Sequence, residues 1–347
     1  MLDGIAAFAQ HHLAEHRLNQ QRLALMREAI EQVVDASEPR IRLVGNYAEK
    51  LLDAVETASR HSEDLLRRLP SALTLSRRAW MADPRVNAFF ATADDLRSTL
   101  SLDPCIQAFF KDGNSSECFA LMLMVKRETA TFGMALQGDM LVREVPQTLV
   151  SFSHHRLFFP IANETGLRRE LRQRTLIFLA TRALERINEL RTRRSDLEER
   201  RRQLQAQLRA VRGHARGLHP MLSTGADADE IRQAALDQRL AQIEQELVAA
   251  RKQLGTLDDY LEQVRQVLGQ PETYLQIKPL SLRLNRLGVK LDANSPEPGE
   301  TIRLFELTSL ETQRIGVLVR VGREELPLPP QRTQGTTQAK IGTVSFR

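Results

Sequence analysis

A chain of 347 residues, 42% hydrophobic and 27% charged, has the composition of a globular protein with room for two or three cores, which excludes a disordered or fibrous chain. Aromatics make up only 5%, with Trp80 the single tryptophan, so stacking platforms for single-stranded nucleic acid are scarce. The net charge of +5 is mild for this length, and the dominance of arginine over lysine is explained by a GC-rich bacterial genome more readily than by phosphate binding.

Residues 3 to 36 read as one helix, because Ile5, Ala9, His12, His16, Asn19, Leu23, Met26, Ile30 and Val33 recur at alternating steps of four and three. Ser37-Glu38-Pro39 ends it. A second helix is expected over 41 to 69, with Val44, Leu51, Leu52, Val55, Ala58 and Leu65 buried, and the two pack antiparallel. Then comes a small repeat, DPRVNAFF at 83–90 and DPCIQAFF at 103–110. Asp before Pro is an N-cap followed by a good first helical residue. The bland expectation is two capped helices sharing one local core. The sharper one is a duplicated docking surface built on Phe89, Phe90, Phe109 and Phe110.

After the turn KDGNSSE the period changes. The runs CFALMLMVK, FGMALQGDMLVREV and QTLVSFSHHRLFF predict three or four strands of an antiparallel meander, with Gln137-Gly138-Asp139 as one hairpin turn. From Glu164 the helical period returns. Ala183, Ile187, Leu190, Arg194, Leu197, Arg201, Leu204, Leu208 and Val211 form one heptad seam, and Leu236, Leu240, Ile243, Leu247, Ala250, Leu254, Leu257, Leu261, Val264 and Leu268 form another. The glycine- and proline-containing connector GHARGLHPMLSTGADADE predicts that the two fold back as an antiparallel coiled-coil hairpin. Pairing Leu204 with Leu236, Leu197 with Ile243 and Leu190 with Ala250 keeps each seam residue opposite another. The charges agree: 14 Arg against 6 acids in residues 167–212, and 9 acids against 5 bases in residues 227–269. Arg194 and Arg201 interrupt the leucines and are expected to reach Glu244 or Glu246. Gly269-Gln270-Pro271 stops the arm. TYLQIKPLSLRLNRLGVKL, ETIRLFEL and QRIGVLVRV then read as strands, a small β-domain or the completion of the earlier sheet.

Among motifs with chemistry, His12-Leu13-Ala14-Glu15-His16 matches the H-x-x-E-H pattern of some zinc peptidases. Only eleven residues precede it, and both histidines fall on the seam of Leu23 and Met26, so polar seam positions explain them. His154-His155 lies in a strand, where neighbours face opposite sides and cannot share a metal. Cys105 and Cys118 make neither a disulfide framework nor a metal quartet, which fits a reducing cytosol. No phosphate-binding glycine loop and no G-x-S-x-G turn occurs. The first residues lack the basic start of a signal peptide, and no run of 18 apolar residues is present, so the expected location is the cytoplasm.

The fold class expected is α+β, mostly helical. Its parts are a helical N-terminal region (1–115), a β-meander (116–162), a coiled-coil hairpin (163–270), a small β-domain (271–326) and a disordered tail (327–347). No catalytic, cofactor-binding or metal-binding residue is assigned. The function expected is a non-enzymatic scaffold protein that positions protein partners, with His214, Arg216 and His219 at the arm's tip and the phenylalanine repeat as contact surfaces. The alternative is a nucleic-acid-associated factor holding phosphates through Arg200, Arg201 and Arg202. Homo-oligomerisation is left open.

Overall fold

A computed structural model describes residues 20, 22–137, 140–216, 226–292, 294–295, 297–310 and 312–326. His12, His16, His219, the turn at 138–139 and the tail from 327 lie outside them. The chain divides into two compact units. One comprises Met1–Pro70, Arg168–Lys278 and Glu306–Gln313, and the other Ser71–Leu167, Pro279–Phe305 and Arg314–Arg347.

The first unit is helical. Helix α1 (22–36) ends where expected, and a 3-10 turn at Pro39–Leu43 leads into α2 (Tyr47–Arg68). The two run antiparallel: Tyr47 donates its hydroxyl to Glu31, Arg42 pairs with Glu31 at 2.8 Å, and Arg22 pairs with Glu56. Helix α7 (Glu164–Arg216) is unbroken for 53 residues, about 80 Å at 1.5 Å per residue. Helix α8 (Ala226–Gln253) returns beside it, and α9 (Leu257–Gly269) follows. Ile30, Val33, Val55, Ile187, Val264 and Val267 anchor the shared core of α1, α2, α7 and α9. Five of the six buried positions expected around α2 are buried, whereas Leu52 is 37% exposed.

The second heptad series was expected to run without interruption, and the structure corrects this. The series stops at 254–256 because Gly255 turns the chain where a Cβ would come within 2.6 Å of the Arg251 carbonyl oxygen. Thr256 and Asp259 then cap α9 reciprocally, a capping box.

The second unit is built on one six-stranded sheet. The meander of three or four strands is in fact two long ones, β2 (Glu117–Gln137) and β3 (Met140–Ile161). The residues that look like breakers are absorbed. Pro146 sits in β3 opposite Phe132, and register shifts near Leu123/Val125 and Gly133/Ala135 coincide with positive φ at His154 and Glu144. The C-terminal strands β4 (Leu275–Leu284), β5 (Glu300–Ser309) and β6 (Gln313–Gly322) form no separate domain. They complete the same sheet in the order β3-β2-β6-β5-β4, with the short β1 (Leu73–Leu75) parallel to β6.

Residues 288–290 then bridge β4 back to β3 through Leu284↔Lys290 and Leu149↔Val289, so the sheet closes on itself. Gly288 has φ +79, and a Cβ there would meet the Val150 carbonyl oxygen at 3.0 Å. Met122, Met124, Val150, Leu282, Leu304 and Val319 fill the inner face. Four short helices, α3 (Arg77–Ala82), α4 (Pro84–Phe89), α5 (Ala93–Leu102) and α6 (Pro104–Asp112), belong to the same core.

Candidate functional site

The two Asp-Pro repeats begin α4 and α6 as their sequence dictates. Asp83 accepts from the Arg85 amide at 2.9 Å, and Asp103 from the Cys105 and Ile106 amides at 2.9 and 3.2 Å. Their spare oxygens go to different places. Asp83 takes the guanidinium of its own Arg85 at 2.7 Å, while buried Asp103 accepts the Leu157 amide of β3 at 3.1 Å.

The phenylalanines do not form a docking surface. Phe89 and Phe90 are 2% and 1% exposed, Phe110 is buried, and Phe109 is half-buried edge-on to it. Phe89 meets Phe152 edge to face at 5.2 Å, and Phe90 stacks on His155 at 4.6 Å. These apolar faces turn inward because β3 supplies the complementary aromatic wall.

His154, at a bulge with φ 56, is exposed, and His155 is half-buried with its Nε2 unpartnered. Burial pushes the His155 pKa down, against the pull of Asp95. The Cys118 thiol is pushed up to about 12 by burial, with Asp103 and Glu117 adding to it, so it is an inert core group. Among the described residues no three His, Cys, Asp or Glu side chains gather to hold a metal ion. No helix among the described residues is long and apolar enough to cross a membrane.

The most distinctive surface is the hairpin of α7 and α8. Its base is fixed by charge and aromatic contacts. Glu38, 8% exposed at its side chain, accepts from Arg40 at 2.8 Å and from Arg191. The Tyr260 ring receives both cations, with guanidinium carbons 5.7 Å (Arg40) and 4.9 Å (Arg191) from its centroid. Arg40, and then Arg191, hold the Glu38 carboxyl down at about 2 against the opposing effect of burial. Arg186 adds a bond to Gln263 at 2.8 Å.

Farther out, Leu197, Leu208, Leu236, Leu247 and Leu254 are buried, so the heptad leucines do form the seam. The register differs from the expected one. Glu198 pairs with Arg251 and Arg212 with Asp237. This sets Leu204 level with the stretch from Ile243 to Leu247, about nine residues from the expected Leu236. In this register Arg194 pairs with Glu198 at 3.1 Å and reaches the Leu254 carbonyl rather than Glu244 or Glu246. Arg201 stays in the seam with a buried, unpartnered Nε.

The three arginines expected to hold phosphate are therefore unlike one another. Arg202 is paired with Glu199, Arg201 is half-buried, and Arg200 is exposed. Arg200 and Arg193, one heptad apart, line a shallow groove of about 750 Å³ with Glu189, Asp196 and Glu246. Arg193 belongs to the basic run RTRRSD (191–196) rather than to the three arginines expected to hold phosphate, and its spacing of seven from Arg200 puts the two on one helix face. His214 and Arg216 lie in the last turns of α7. No protein-family model matches the chain, and no curated protein or solved structure does either.

Proposed function

We propose that this protein is a non-enzymatic scaffold that positions protein partners in a cytoplasmic assembly through a coiled-coil arm made of α7 and α8. One observation carries the reading. Beyond the core of the first unit, α7 and α8 bury their mutual seam and leave their remaining faces charged and exposed. Helices of that kind add reach and surface rather than core, and complementary charge across the seam fixes their pairing.

The test must spare the core, because Ile187 and Leu261 belong to it. Residues 200 and 248 lie level in the observed register, so replacing 200–248 with a short Gly/Ser linker removes the outer arm alone. Cross-linked complexes from the native host should retain a constant protein partner with the full chain and lose it with the shortened one. Loss of no partner would refute the scaffold reading.

A second reading rests on Arg193 and Arg200, which are exposed and make no ion pair among the described residues. They are the residues through which a nucleic-acid-associated factor would touch phosphate. On that reading, affinity for duplex DNA or RNA falls steeply with salt, and changing both to Ala lowers the salt slope by about two. A flat salt dependence removes it.

A further inference from the structure

The ladder between β2 and β6 covers only Glu117 to Met124 of β2. From Lys126 onward β2 has a strand partner on one side alone, β3, and its other backbone edge pairs with nothing among the described residues. The two edges of this ribbon are not alike. That of β3 is blocked: Pro146 has no amide hydrogen, Glu144 has φ 58, and 148–150 are already taken by 288–290. The edge of β2 over 126–134 has no proline and no positive-φ residue. An open, regular edge of this length is a template for a further strand.

The side chains along this edge also lack cover. Ala120, Met122 and Met124 point into the sheet's core, and with a period of two the same face continues through Lys126, Glu128, Ala130, Phe132 and Met134. Phe132 is 74% and Met134 59% exposed. The ion pairs of Glu128 with Lys126 and Lys290 separate them from the core, so they are not a frayed margin of it. A two-stranded ribbon is only marginally stable in water, and four strands with a shared apolar face are not.

We propose that the 126–134 edge of β2 pairs antiparallel with the same edge of a second copy of this chain, about a two-fold axis at Thr131. The sequence is self-complementary about that point. Thr131 meets the partner's Thr131, a favourable cross-strand pair, and Thr129 meets the partner's Gly133. On the other face Phe132 falls on the partner's Ala130 and Glu128 on the partner's Met134, which joins the two exposed apolar patches into one. No two like charges oppose each other in this register. The contact is isologous and closes at two copies.

Light scattering after gel filtration of the full chain should show a concentration-dependent dimer. T131D and T131K each place like charges directly opposite and should weaken it at least about tenfold. Mixing the two variants should restore a heterodimer, and matched circular dichroism and thermal midpoints would show that both are folded. In a C105S background, Thr131→Cys should form an interchain disulfide on mild oxidation. A chain that stays monomeric at every concentration and forms no such disulfide would overturn the proposal. So would a dimer indifferent to T131D.

Discussion

The helices α3 to α6 and the outer arm of α7 and α8 are held by different forces, although both are helical. The first are six to ten residues long, too short to persist alone. Ser76, Asp83, Thr92 and Asp103 each fix one helix start, and buried aromatic and aliphatic side chains do the rest. The arm has length instead of depth. Its seam leucines come once every turn or two, and charge pairs outside the seam decide which leucine meets which. Substitutions should accordingly be costly under the short helices and modest along the arm.

The sharpest way to break that contrast is Phe90→Ala. It removes a side chain that is 1% exposed and stacked on His155, and should destabilise the second unit by about 3–4 kcal/mol in a denaturant titration. A loss below about 1 kcal/mol would mean that the core there is loose. The neighbouring imidazole adds a pH signature. Its folded pKa lies below the ordinary 6.5, so the unfolded chain takes up the proton first and stability falls as pH drops below about 6.5. His155→Phe should flatten that part of the profile.

Glu38→Gln is next and tests the base of the arm. Losing a nearly buried carboxylate shared by two arginines should cost about 2 kcal/mol, held to that figure by the 58% exposure of Arg40. Its folded pKa of about 2 lies below the ordinary 4.5, so in the parent chain this contribution is complete above pH 4.5 and disappears between there and about 2. The Gln variant should lack that acid-dependent loss, as read by thermal melts across pH.

The repeat supplies its own internal control. Asp103→Asn leaves a single acceptor oxygen for the cap amides and the Leu157 amide, so its NH₂ must face one of these donors and the change should cost about 1–2 kcal/mol. Asp83→Asn keeps the cap and loses a part-exposed ion pair, so its effect in the same titration should be smaller. Equal losses would show that the two copies serve alike. Smallest, and opposite in sign, is Arg201→Leu. It replaces a half-buried cation by the residue the seam prefers and should raise the arm's stability by ~1 kcal/mol, read by amide hydrogen exchange along α8.

What the sequence revealed divides along the same line. Local chemistry was legible: Asp before Pro gave the caps, Ser37-Glu38-Pro39 the helix stop, and the leucine heptads the seam. What lay across space was not. Phe89 and Phe90 read as apolar, but nothing in their own segment says that Phe152 and His155 will cover them. Pro146 looked like a strand end because period alone does not reveal that β3 has no strand on its outer side at that position, where proline is tolerated. The register of the arm was misjudged because a heptad seam matches itself again after each repeat, and only Glu198 with Arg251 and Arg212 with Asp237 lift that degeneracy.

The interruption between α8 and α9 has a mechanical consequence. Helix α7 passes the level of Leu254 as one continuous rod, whereas its companion stops at Gln253 and restarts at Leu257. A pair of rods with one of them cut is stiff against compression along the intact member and compliant in bending about the cut. Bending of the hairpin is therefore expected to concentrate at the stretch from Leu254 to Thr256, where α7 alone is continuous.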